Sequence, residues 1–212
     1  VDAPGRLALG PKGTLYAISG GKRVVKVDDK LAVIQDGLDD AAGIAVDADN
    51  KIYITQAGSQ QNVLVVDGDQ TRTIGKIGGR PRRGRFEPQG LLEPGGCAVD
   101  SKGRLWVAET LDRPKRISVW DTVNGKLINQ YFGGSAYFGW AWIDPKNPTE
   151  AFNHGCIWKI NLDTGEKGII STHWQRIDPN EPPPHNPGGY AGHFRVITAA
   201  NGVQFGWGQA GR

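Results

Sequence analysis

The sequence has no methionine, only two cysteines and no apolar run near the roughly 18 residues that a membrane-spanning helix needs. Each shortage excludes something. Cys97 and Cys156 cannot make a disulfide framework, match no CxxC redox or metal spacing, and lack the CxxCH of haem attachment. Two separately buried thiols are expected, with a single bridge as the alternative. Without an initiator methionine or a recognisable signal peptide, the chain reads as processed, excised or incomplete. No 3.6-residue apolar stripe persists over several turns, which disfavours helix throughout. There is no GxSxG in a nucleophile-elbow context, no GxxxxGK[ST], no strand–GxGxxG–helix unit and no HxxxH on a helix.

What is present is glycine and proline, 31 and 13 of 212 residues, punctuating short apolar strands. The length suffices to bury one sizeable core, and a single domain is expected. The net charge of +3 is local: Arg80, Arg82, Arg83 and Arg85 crowd into GGRPRRGRF and leave the remainder near neutral. A generally basic nucleic-acid binder is thereby excluded.

The chain repeats itself. RLALGPKGTLYAISGGKRVVKVD (6–28), GIAVDADNKIYITQAGSQQNVLVVD (43–67) and GCAVDSKGRLWVAETLDRPKRISVWD (96–121) align. Each has an apolar strand, a polar turn, an alternating strand, a loop and a third strand ending in Asp28, Asp67 or Asp121. A fourth strand follows each: LAVIQD, TRTIGKIG and KLINQYFG. A fainter copy spans 139–170 and a partial one begins at FRVITAANGVQFGWG (194–208). Four antiparallel strands per unit of about 40 residues predict the blades of a β-propeller. The expected blades are 5–40, 41–78, 95–133 and 139–172, with a partial blade 194–212 and a Pro/Gly-rich insertion at 178–192. Gly43, Gly96, Cys97 and Ala98 let inner strands crowd an axis. Tyr16, Tyr53, Trp106, Trp120 and Trp158 fill the wider space between blades.

The run IGGRPRRGRFEPQGLLEPGGCAVDSKGRLWVAETLDRPKRISVWD resembles an NHL repeat. Phe86, Pro94, Gly95, Gly96, Val99, Asp100, Gly103, Val107, Ala108, Thr110, Arg116 and Asp121 carry the resemblance, and Glu109 stands where that family usually has Asp. The resemblance implies an all-β propeller, usually of six blades, of which this chain supplies about four and part of a fifth.

Three sets of residues are candidates for function. The arginine cluster lies in the connection from the outer strand of one blade to the inner strand of the next. Pro81 and Gly84 argue for an irregular loop there. Its guanidinium groups suit a protein surface, a polyanion such as RNA, or internal ion pairs to blade-edge carboxylates. Ser19, Gln56 and Glu109 align at the ends of second strands, with His154 or Gly155 as the fourth equivalent. Related six-bladed hydrolases and lyases hold Ca²⁺ or Zn²⁺ at the channel mouth, so Gln56, Glu109 and His154 form a candidate metal set. The alternative is polar groups that satisfy strand-end amides. The aromatic run YFGGSAYFGWAW (131–142), with Tyr137 and Trp140, serves either as interblade core or as a stacking platform for a sugar or peptide.

The resulting expectation is a non-catalytic propeller scaffold that binds a protein partner or a flanking domain through rim loops, without a cofactor. A metal-assisted lyase or hydrolase is the first alternative and polyanion binding through Arg80, Arg82, Arg83 and Arg85 the second. The composition, rich in Trp and Gly and low in Cys, leans towards an extracytoplasmic location.

Overall fold

Residues 1–82, 84–110, 114–133, 142–144, 147–153, 156–161, 163–164, 166–172, 195–198 and 204–207 are described in the computed structural model of the chain. The first sheet runs β1 (Pro4–Leu9), β2 (Leu15–Ser19), β3 (Arg23–Val27), β4 (Ala32–Gln35) in chain order. The second runs β5 (Ala41–Val46), β6 (Ile52–Gln56), β7 (Asn62–Asp67), β8 (Gln70–Ile74). After β9 (Gly84–Arg85), the third runs β10 (Pro94–Val99), β11 (Arg104–Glu109), β12 (Lys115–Asp121), β13 (Leu127–Gly133). The fourth contains β14 (Trp142–Asp144), β15 (Asn147–Asn153), β16 (Cys156–Ile160) and β17 (Lys167–Thr172), and β18 (Arg195–Thr198) pairs with β19 (Gln204–Trp207). The expected all-β architecture of four-stranded antiparallel blades is therefore present. Two compact units result: Val1–Arg80 with Glu87–Leu111 and Lys115–Phe132, and Pro81–Phe86 with Asp112–Pro114 and Gly133–Arg212.

The turns between first and second strands show how sequence dictates local structure. GPKG, DADN and DSKG are four-residue turns closed by Gly13, Asn50 and Gly103, with φ of 75°, 65° and 68°. That left-handed region favours Gly or Asn. The leading aspartates lock two of these turns. Asp47 Oδ1 accepts from the amides of Asp49 and Lys51, and its Oδ2 accepts from the Tyr53 hydroxyl at 2.9 Å. Asp100 does the same for Lys102, Arg104 and the Trp106 indole.

Strand alternation then feeds two cores in the first unit. Ile52 and Ile54 of β6 join Tyr16, Ile18, Val24 and Ile44 between the first and second sheets. Tyr53, on the opposite face of β6, joins Val63, Val65, Leu105, Val107 and Trp120 between the second and third. Each buried Val, Leu or Ile stabilises by roughly 1.5–3 kcal/mol relative to exposure. The interblade roles expected for Tyr16, Tyr53 and Trp120 are met. Trp106 is only half-buried and stacks on Tyr131, ring centroids 5.9 Å apart.

A further repeated device precedes the first strand of each of the first three sheets. Ala3, Asp40 and Glu93 have φ of 39°, 55° and 49°. Their carbonyls accept from the amides of Gly20, Ala57 and Thr110, the residues that follow the second strands. A register shift follows at once in β1, β5 and β10. These three strands are thus pinned to the hairpins beside them.

In the second unit, the arginine-bearing segment is not wholly irregular, contrary to expectation. Gly84 and Arg85 form β9, which adds to the outer edge of β17 by pairing with Thr172 and Ser171. The Phe86 amide donates to the Ile170 carbonyl at 3.0 Å, and its ring is buried. An open strand edge carries unpaired amides and carbonyls, and this segment satisfies some of them. Both cysteines are free thiols. Burial pushes Cys97 up to about 12.

Candidate functional site

β2, β6, β11 and β15 end at Ser19, Gln56, Glu109 and Asn153. Register therefore assigns the fourth equivalent position to Asn153, opposite Cys156 on β16. The sequence alignment points one or two residues further on, to His154 or Gly155. His154 lies outside the described residues.

The three equivalents of the first unit perform one task. The Ser19 hydroxyl accepts from the Asp2 amide at 3.0 Å and donates to the Asp2 carbonyl at 3.1 Å. Gln56 Oε1 accepts from the Asp39 amide at 3.0 Å, while its Nε2 donates to Asn62 Oδ1 at 3.0 Å. Glu109 Oε2 accepts from Arg80 Nη2 at 2.7 Å. Asp2, Asp39 and Arg80 all belong to the segments leading into inner strands. Each second-strand end therefore ties down the connection that enters its own blade.

Glu109 is the charged version of this tie. Its Oε1 also receives Arg116 Nε at 2.6 Å, together with Arg116 Nη2. The side chains of Arg80, Glu109 and Arg116 are fully buried. Arg116 further donates to the carbonyls of Pro88 at 2.8 Å and Gly90 at 2.6 Å. Burial lowers the Arg116 pKa from its ordinary value, and the Glu109 charge opposes that shift. A buried carboxylate between two guanidiniums is stabilised by charge-assisted hydrogen bonds, and both of its oxygens are occupied.

The arginine cluster is thereby divided. Arg80 takes the internal ion-pair alternative and turns inward because the buried Glu109 carboxylate requires countercharge. Arg82 and Arg85 are exposed. Arg83, Tyr137 and Trp140 lie outside the described residues, as does the 178–192 insertion. Among the described residues, no group of three His, Cys, Asp or Glu side chains could hold a metal ion. No helix among them is long and apolar enough to cross a membrane.

Arg116 and Asn62 escaped the sequence-based choice of site residues. The signal was present in KRISVWD, where Arg116, Ser118 and Trp120 alternate on one face and all are buried. An arginine on an apolar strand face demands an acidic partner, and Glu109 is the carboxylate at the end of the neighbouring strand.

Comparison with known proteins places these features in a family. No curated protein matches the sequence. Among solved structures, hydrazine synthase of Kuenenia stuttgartiensis matches with 19% identity and a TM-score of 0.49, over 82% of this chain and 51% of that one. Nidogen, from its complex with laminin, matches with 15% identity and a TM-score of 0.49, over 81% and 80%. A gluconolactonase of Xanthomonas campestris matches with 15% identity and a TM-score of 0.47, over 82% and 58%. The chain spans about half the length of the hydrazine synthase chain. Residues 3–137, which contain the first three sheets and the Arg80–Glu109–Arg116 cluster, match the model of the SMP-30/Gluconolactonase/LRE-like region, and the chain belongs to that β-propeller family.

Proposed function

We propose that this chain is a non-catalytic scaffold of NHL-type blades that binds a protein partner or a flanking domain through its rim loops. The contact surface is the segment bearing Arg82, Arg83 and Arg85. One observation carries this reading: Arg80 is buried against Glu109, whereas Arg82 and Arg85 of the same sequence cluster are exposed. Exposed arginines suit carboxylates on a partner surface, which guanidinium forks bind bidentately. The test compares proteins captured by the wild-type chain and by R82E/R83E/R85E. Selective loss of a captured protein supports the reading, and an unchanged capture profile overturns it. Generic RNA titrated at several salt concentrations tests the polyanion alternative, since phosphate-driven binding weakens steeply with salt.

A second reading follows from the family, whose description includes gluconolactonase. It makes the chain a metal-assisted hydrolase or lyase, with Ca²⁺ or Zn²⁺ held by Gln56, Glu109 and His154. The hydrogen bonds of Gln56 and the ion pairs of Glu109 speak against it, because a metal would have to displace both sets. Metal-dependent lactone hydrolysis that E109Q abolishes, in a variant shown to be folded, would establish this reading over the first.

A further inference from the structure

The three turns between first and second strands differ in one respect. In the second and third sheets an aspartate leads the turn and takes the polar tip of the aromatic residue six positions on, Tyr53 or Trp106. In the first sheet the equivalent residue is Gly10, which has no carboxylate. The aromatic residue is still present, as Tyr16, but its hydroxyl crosses to the neighbouring sheet and donates to Asn50 Oδ1 at 3.1 Å. A Cβ on Gly10 would stand 3.0 Å from that Asn50 oxygen and 3.1 Å from the Tyr16 ring. The glycine thus leaves room for this clasp between the first and second sheets.

Beside this clasp lies a groove of about 440 Å³, lined by Lys12, Thr14, Tyr16, Lys26, Asp49 and Asn50 among others. Its volume is within the roughly 300–1,000 Å³ range of small-ligand sites. Its chemistry is rich in donors. Asn50 has committed its oxygen to Tyr16, which leaves its amide NH₂ to donate. Thr14 offers a hydroxyl, and Lys12 and Lys26 offer ammonium groups. Lys26 pairs with Asp28 at 2.8 Å, but both side chains are more than a third exposed, so that pair is readily exchanged. Asp49 is the single acid of the lining and can accept from a hydroxyl.

We propose that this groove binds a small phosphate monoester of a polyol. The phosphate is recognised by the compact charges of Lys12 and Lys26, and the alcohol portion by Asp49, Asn50 and the Tyr16 ring. Lysine suits phosphate as a point charge where no arginine fork is available. This site is separate from the arginine loop and does not rest on the scaffold reading.

Calorimetric titration of the whole chain with glycerol 3-phosphate, inorganic phosphate and glycerol at low salt tests the proposal. Glycerol 3-phosphate should bind saturably and at least about threefold more tightly than inorganic phosphate, with no binding of glycerol. K12Q/K26Q should weaken binding at least about tenfold, and R82A/R83A/R85A should leave it unchanged. G10D restores the aspartate of the other turns and brings a negative charge to the groove, so it should also weaken binding. Both lysines are on the surface, so the double variant should melt like the wild type and can be read without a folding defect. Four results would each overturn the proposal: no saturable binding up to roughly 10 mM, wild-type affinity in K12Q/K26Q, loss of binding on the arginine-loop substitution instead, or equal affinity for inorganic phosphate.

Discussion

Arg80 and Glu109, 29 residues apart in sequence, meet at 2.7 Å with both side chains fully buried. The pair joins the loop that leaves the second sheet to the end of a strand in the third. It makes one member of a cluster that reads as solvent-facing in the sequence part of the core.

Removing the carboxylate should therefore cost more than an average core mutation. E109A leaves two guanidiniums buried without countercharge, and a loss of about 3–5 kcal/mol is expected in urea unfolding. A loss below about 1 kcal/mol would mean that water reaches the cluster.

The arginines should separate by stability. R80A is expected to cost about 2–4 kcal/mol, whereas R82A and R85A should each fall within about 0.5 kcal/mol of wild type. Thermal melts of the three single variants check this. Equal effects at all three positions would contradict the division of the cluster.

The third-sheet turn should be sensitive to acid. Hydrogen bonds from Arg104 first, then Trp106, hold the Asp100 carboxyl well below its ordinary value. A depressed folded-state pKa adds stability that is complete above the unfolded value of about 3.9 and is lost as pH falls towards the folded one. The difference in melting temperature between wild type and D100N should be level from about pH 7 to pH 5 and shrink below about pH 4. A difference that stays constant down to about pH 2 would show that the carboxylate charge contributes nothing.

Two neighbouring glycines should behave oppositely. A Cβ on Gly43 would lie 2.3 Å from the Gly95 carbonyl oxygen and 3.1 Å from the Gly96 Cα, both backbone atoms of the next sheet. The Thr55 hydroxyl holds that same Gly95 oxygen at 2.6 Å, so it cannot easily withdraw. G43A should cost about 3 kcal/mol or more. Gly96 has open space where its Cβ would be, and G96A should be close to neutral. Comparable melts for the two variants would contradict the close approach of the inner strands.

Much of the fold was legible because its signals are local. Asn50, Gly13 and Gly103 mark left-handed turn positions in the sequence itself, and the alternation in KIYITQ assigns Ile52 and Ile54 to one face and Tyr53 to the other. The ends of three second strands, Ser19, Gln56 and Glu109, were found by alignment alone. The fourth, aligned at His154 or Gly155, falls at Asn153, because only the pairing of Asn153 with Cys156 sets that register.

The sequence by itself determined the repeat, the four-stranded blade, the turn chemistry and the residues available at each strand end. These depend on periodicity and on backbone preferences that span a few residues. Only the tertiary structure decided that Arg80 is buried while Arg82 and Arg85 are exposed, that Gly84 and Arg85 add to β17, and that Tyr16 reaches Asn50 rather than its own turn. Those outcomes depend on which distant group stands opposite each side chain. A guanidinium has the same local preferences in a loop whether or not a carboxylate lies 2.7 Å away, and the fold alone supplies that partner.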